Sequence, residues 1–381
     1  MPFQLSPRHR MRRLVPTAML AACLTPDTAP SQTRGPIAVP DSARLAAVLD
    51  SIRQAIGATG ATAAVIFADG NVWQGVAGHA WAGEPVTAQT VFDVGSITKS
   101  YTAALILRLV ADGALSLDDQ VTRWLPDLAD AGGVTLRHLL QQTSGLADYA
   151  ASPQFMPAIR TRMAGAWPPE ENLRFVGPRH APPDSVWRYS NTNYLLLGLV
   201  ARQAAGKPYA SLLRSRVLAP LQLRGTFVAG EDSIVAPRAH AFLDINGDGR
   251  ADDLSALVPD PAMTRGSGGA GAVVATAGDV ARFARAYYSG AFLGAGLHRE
   301  VTTWRDRGDG WRYGFGVIAN PRDDDVLLGH LGNTAGQSAG VWHSTRHGVT
   351  AVILTNAHGV RMADAVEALL RESSGAGARR P

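Results

Sequence analysis

Apolar positions along the chain change their period several times, and each change marks an element. From Ser42 to Ile56 they recur at helical spacing (Leu45, Val48, Leu49, Ile52, Ile56) and stop at Gly57, which predicts an amphipathic helix. Thr62–Ala68 is apolar with β-branched members, Asp69-Gly70-Asn71 supplies turn residues, and Val72–Ala77 resumes the pattern, which predicts a hairpin. Residues 97–112 are apolar on nearly every face and end at Gly113, the mark of a buried helix. The stretch 115–288 reads as helices joined by Pro-rich and Gly-rich loops. Strand signals return at Tyr313–Ile318, Val326–Leu328, Gly340–His343 and Val349–Leu354, and a closing helix covers Val360–Arg371. Strands therefore come from both ends of the chain, with helices between them. This order predicts an α+β fold: an antiparallel sheet flanked by helices (sheet part 41–95 and 290–372) with an inserted helical part, 96–289. A cleft is expected where the two parts meet. The Gly/Arg-rich tail, 373–381, reads as disordered.

The 381 residues are 46% hydrophobic and 18% charged, an ordinary globular composition. The formal net charge is +4. Arg8, Arg10, Arg12 and Arg13 account for all of it, because residues 1–22 hold no acid; the rest of the chain is formally neutral. Net charge therefore gives no ground for a nucleic-acid partner. The same segment continues into a short apolar stretch, Leu14–Ala22, and ends Leu20-Ala21-Ala22-Cys23 at the chain's single cysteine. One cysteine excludes an intrachain disulfide and a cysteine-based metal site. The segment resembles a bacterial lipoprotein signal, which implies removal of 1–22 and lipidation of Cys23. Residues 23–40 then form a flexible tether. Leu24 after the cysteine implies the outer membrane, with the protein lipid-anchored on the periplasmic face of the envelope; an ordinary signal peptide and secretion is the alternative. No other stretch is long and apolar enough to span a bilayer.

Of 36 basic residues only Lys99 and Lys207 are lysines. Arginine does not deprotonate in proteins, so any lysine chemistry has two candidates. Lys99 belongs to Ser96-Ile97-Thr98-Lys99, at the start of the apolar helix, where a residue three further on shares the serine's face. Serine needs a neighbouring base to act as a nucleophile, and a buried lysine can lose enough proton affinity to serve. Two further segments carry candidates. Tyr189-Ser190-Asn191 precedes an apolar helix and can aim a hydroxyl and an amide into one cleft. Gly329-His330-Leu331-Gly332 lies on a C-terminal strand, where glycine permits close backbone approach to a ligand.

S-x-x-K, then Y-S-N, then H-x-G, in that order, resembles the serine β-lactamase and penicillin-binding family. The likeness is to the branch of class C β-lactamases, D-alanyl-D-alanine carboxypeptidases and β-lactamase-like esterases. Leu139–Leu146, Pro220–Thr226 and Tyr313–Gly316 support it, over about residues 45–370. The resemblance implies a β-lactamase/transpeptidase-like fold and an acyl-enzyme on Ser96. Lys99 and Tyr189 become the acid/base groups, and Asn191 a substrate-orienting amide. His330 takes the place of the lysine of the K-T-G motif, and Gly332 closes that motif. The backbone N–H groups of Ser96 and Asn333 form the oxyanion hole. No cofactor or metal is implied. The expected substrate is a peptidoglycan-type peptide or a small ester or amide. A class C-like β-lactamase and a non-catalytic penicillin-binding sensor are the alternatives. His330 for lysine and Leu331 for a hydroxyl residue both weaken anion recognition, which disfavours β-lactamase activity. Gln142 stands where the family often has histidine.

Other motifs compete. Gly336-Gln337-Ser338-Ala339-Gly340 fits G-x-S-x-G but leads into a strand rather than a helix. Gly266–Gly271 fits G-x-G-x-x-G without a preceding strand. Asp244–Asp252 resembles half of a calcium loop, with Ser255 where the last acid would stand, and also reads as a solvated hairpin. Gly206-Lys207-Pro208 lacks the hydroxyl residue of a phosphate loop, which leaves Lys207 on the surface.

Overall fold

A computed structural model describes residues 42–258 and 261–374. The signal segment 1–22, Cys23, the tether 23–40 and the tail beyond Ser374 lie outside the described residues.

The N-terminal hairpin and the C-terminal strands share one antiparallel sheet of nine strands. Gly60–Ile66 is the joint: it pairs with Val72–Trp81 on one side and with Thr350–Thr355 on the other. Gln337–Ser344, Val326–Thr334 and Ile318–Pro321 follow in order. Alternate residues feed different cores, as the two-residue strand period requires. Ala61, Ala63 and Val65 face one cluster with Ala351 and Ile353, under helices Ser42–Ala55 and Met362–Ser373. Ala64 and Ile66 face the other with Val352 and Leu354, under helix Ala277–Tyr288. Helix Thr98–Ala111 lies in this second cluster with eleven buried residues, and its Tyr101 stacks on Phe283 at 3.7 Å. Full burial of each of its leucines and isoleucines is worth roughly 1.5–3 kcal/mol, so the helix is anchored by packing rather than by caps.

The fold class expected from the sequence is the one formed, with three differences. Helix Ala277–Tyr288 packs on the sheet, not in the helical part where the sequence places it. Short strands also form that the pattern did not predict: Phe92–Asp93 joins Val273–Ala275 and Thr226–Val228, from the middle of the chain, in a three-stranded sheet. Two or three residues are too few to leave a readable period. Finally, Tyr313–Ile318 is not one strand. It breaks into Arg312–Tyr313 and Ile318–Pro321. Gly316, at φ +64°, makes the break where the Lys99 carbonyl approaches; a Cβ there would lie 2.6 Å from that oxygen.

Candidate active site

Ser96 sits in a short 3-10 turn, Gly95–Ile97, that runs directly into helix Thr98–Ala111. Lys99 is fully buried in the first turn of that helix. A buried ammonium must find acceptors. Lys99 Nζ has three: Ser96 Oγ at 3.1 Å, Asn191 Oδ1 at 2.8 Å and the Ala270 carbonyl at 2.8 Å. Burial lowers its pKa to about 7, against an opposing pull from the Asp148 carboxylate. Gly266–Gly271, the apparent dinucleotide motif, is thus a tight turn that delivers the Ala270 carbonyl to this lysine.

Tyr189 and Asn191 come from the turn that opens helix Asn191–Ala205. Lys99 Nζ lies 4.9 Å from the centre of the half-buried Tyr189 ring. Burial raises the Tyr189 pKa well above its ordinary value, against a hydrogen-bonding contact with Ser96 that lowers it. The phenol therefore keeps its proton at neutral pH. Two residues that the sequence reading gave no role hold this turn. Asp148 accepts the Asn191 side-chain N–H at 3.0 Å and its backbone N–H at 3.2 Å. Gln142, fully buried at φ +63°, takes the backbone N–H of Ser190 at 3.0 Å on its side chain and that of Arg188 at 2.9 Å on its carbonyl. Its position next to Thr143-Ser144-Gly145 was visible in the sequence, but its partners lie 46–48 residues away.

The strand Val326–Thr334 forms the opposite wall. It pairs with Ile318–Pro321 only as far as Gly329, so among the described strands 330–334 have a partner on one side only. A Cβ on Gly332 would lie 2.0 Å from the Val94 carbonyl, and one on Gly95 would lie 2.9 Å from the Asn333 nitrogen. Glycine at both positions lets the Asn333 backbone come up beside Ser96. The exposed Asn333 side chain lies against the Ser338 hydroxyl at 2.8 Å.

His330 is placed differently from a substrate-binding group. It is buried; Nδ1 faces the Leu331 carbonyl at 2.8 Å and Nε2 faces the Tyr313 hydroxyl at 3.2 Å. A carbonyl only accepts, so Nδ1 carries the proton and Nε2 accepts from Tyr313. Burial, with the nearby Lys99 charge, lowers its pKa to about 3. His330 is therefore a neutral spacer at neutral pH. Leu331 packs against the cluster of Trp342, Met362 and Val366. A cavity of about 160 Å³ opens beside Ser96, bordered by Tyr149, Phe155, Asn191, Met263 and Asn333; His330 and Tyr189 do not border it.

A family model for β-lactamases matches residues 45–374. The chain belongs to the β-lactamase family. It falls in the serine hydrolase superfamily of the β-lactamase fold. Penicillin-binding protein 4 of Amycolatopsis lactamdurans is 31% identical over 330 residues, covering 81% of this chain and 83% of that protein. Esterase EstB of Burkholderia gladioli is 35% identical over 225 residues, which span 52% of this chain and 56% of the esterase. A D-stereospecific amidohydrolase from Streptomyces sp. superposes with a TM-score of 0.75 at 28% identity, covering 86% of this chain and 98% of that one.

The remaining motifs do not join the site of this β-lactamase-family chain. Ser338 lies inside strand Gln337–Ser344, buried, and donates to the Ala357 carbonyl at 2.7 Å. Asp244 accepts the backbone N–H groups of Gly247 and Gly249 within a hairpin closed by Phe242–Leu243 and Asp252–Asp253. Lys207 is exposed and borders a larger groove of about 1370 Å³ that includes neither Ser96 nor Asn191.

Proposed function

We propose that this protein is a serine hydrolase acting through an acyl-enzyme on Ser96, and that it cleaves small esters or amides whose leaving group is uncharged. The observation that carries this reading is the partner set of Lys99. Asn191 Oδ1 and the Ala270 carbonyl can only accept, so a neutral Lys99 amine spends its two N–H groups on them. Its lone pair then faces Ser96 Oγ, 3.1 Å away. With a pKa of about 7, the amine is half neutral at physiological pH.

The reaction follows from these groups. Lys99 takes the Ser96 proton as Oγ attacks the substrate carbonyl. The N–H groups of Ser96 and Asn333 receive the developing oxyanion. Tyr189, protonated, hands its proton to the leaving alcohol or amine and regains one from Lys99. Water then releases the acyl group by the same route in reverse.

The leaving group is taken as uncharged because the described residues that wall the cavity beside Ser96 include no lysine, arginine or histidine. A D-alanyl-D-alanine carboxypeptidase or β-lactamase substrate carries a carboxylate that this wall does not match. The names of the esterase and the D-stereospecific amidohydrolase agree with the choice; that of the penicillin-binding protein keeps the carboxypeptidase as second reading. The test is turnover of a p-nitrophenyl short-chain ester, a D-amino acid amide, a D-Ala-D-Ala peptide and a chromogenic cephalosporin, each beside Ser96→Ala. The first two should be turned over fastest, and Ser96→Ala should lose all four. Activity surviving in Ser96→Ala would overturn the mechanism. A stable penicillin adduct without turnover would support a sensor instead.

A further inference from the structure

The hydrogen-bonded chain from Ser96 through Lys99 to Asn191 continues to Asp148. An asparagine amide can sit in two orientations, and only one presents its carbonyl to Lys99. Asp148 Oδ2 accepts Asn191 Nδ2 at 3.0 Å, and Oδ1 accepts the Asn191 backbone N–H at 3.2 Å. A carboxylate only accepts. A flipped amide would set its oxygen against that carboxylate and its NH2 against the N–H groups of Lys99, losing both contacts. We propose that Asp148 is a positioning residue for acyl transfer at Ser96: it locks the Asn191 amide so that Oδ1 holds Lys99 and the second Nδ2 hydrogen is left for the cavity. The proposal rests on the reading of Ser96 as the acylated nucleophile.

Asp148 also has a structural duty, since Oδ1 caps the turn Tyr149–Ala151 by accepting the Ala150 N–H at 3.1 Å. The test must separate the two roles. Charge does so. The titratable groups around Lys99 are Asp148, Tyr189 over its ammonium, Tyr194 with its ring centre 5.9 Å away, and His330 on the facing strand. The two tyrosines are neutral at pH 7 because burial raises their pKa, and His330 is neutral because burial lowers its own. Asp148 thus supplies the negative charge that favours the protonated lysine. Removing it shifts the base towards its neutral form at lower pH.

The readout is the rate at which a fluorophosphonate probe labels Ser96 across pH. In that step the Oγ–P bond forms, fluoride leaves and the serine proton passes to Lys99. In the full-length wild-type protein the rate should rise through about pH 7. In Asp148→Asn the acid limb should move down by about half to one pH unit. In Asp148→Ala it should move equally, and the plateau should fall roughly 10–100-fold, since nothing then holds the amide. Asp148→Glu keeps the charge, so its limb should stay near the wild-type position while its plateau falls. Limbs that coincide in all four proteins, or that move upward in Asp148→Asn, overturn the proposal. Asp148→Asn keeps shape and an acceptor for the cap, so it decides alone should Asp148→Ala not fold. Labelling that persists in Ser96→Ala, or is absent from the wild type, overturns the reading of Ser96 instead.

Discussion

Lys99 and His330 are two buried basic side chains on opposite walls of one cleft, and burial treats them differently. Lys99 has three acceptors and the Asp148 carboxylate near it, and it stays within reach of its proton at about pH 7. His330 has one acceptor on Nδ1, a donor hydroxyl on Nε2 and the Lys99 cation nearby, and it is driven to about 3. Desolvation disfavours the charged form in both. The partners decide the outcome. Lys99 on the helical wall can exchange a proton at neutral pH, and His330 on the strand wall cannot.

The largest test breaks the helical side of this contrast. Arginine in place of Lys99 keeps a cation and most of the donors but cannot become neutral. Lys99→Arg should lower kcat for a p-nitrophenyl ester by about 10³-fold, in the middle of the range for loss of a general base. A fall of less than about tenfold would mean that Lys99 acts as a fixed charge rather than as a base.

A mid-sized effect tests the strand side. His330→Lys places a cation where the histidine is neutral. It should raise kcat/KM for a D-Ala-D-Ala peptide relative to the neutral ester by about tenfold, the value of one modest charge-assisted contact. Thermal unfolding of the variant checks that the loss of the Tyr313 contact has not loosened the strand. An unchanged substrate ratio in a folded variant would mean that the wall does not set the choice of leaving group.

The two walls were also unequally legible in the sequence. Ser96 and Lys99 are three apart at the start of an apolar helix, so local geometry alone puts them together, and they do meet. Asn191 was readable as an amide aimed at the same cleft, and it too reaches Lys99. Its supports were not. Asp148 meets Asn191 across 43 residues, and Gln142 meets Ser190 across 48, contacts that only the assembled helical part creates. His330 was placed on the right strand, but its partner Tyr313 comes from a strand whose limits the pattern missed, because the chain turns at Gly316 against the Lys99 carbonyl. Leu327, two pairs of residues before Leu331, lies in the same cluster, so strand parity alone predicts that Leu331 packs with it under the closing helix.

The smallest effect follows from the neutrality of His330 and concerns stability, not rate. Its pKa falls from 6.5 in the unfolded chain to about 3 in the folded one. Between those values the unfolded chain binds a proton that the native protein refuses, so stability drops as pH falls from about 6.5 towards 3 and is unaffected above. His343, lowered to about 4 by burial, acts in the same sense on the neighbouring strand, where it meets the Thr350 hydroxyl at 2.9 Å. His330→Gln keeps a donor for the Leu331 carbonyl and an acceptor for Tyr313 without the titration. It should move the acid-unfolding midpoint, followed by circular dichroism, down by about a quarter to half a pH unit. The acid limb of the ester pH–rate profile near 7 should stay where it is, because that limb belongs to Lys99. A shift of the limb with no shift of the midpoint would reverse the assignment: His330 would then be feeling the proton that moves in the reaction.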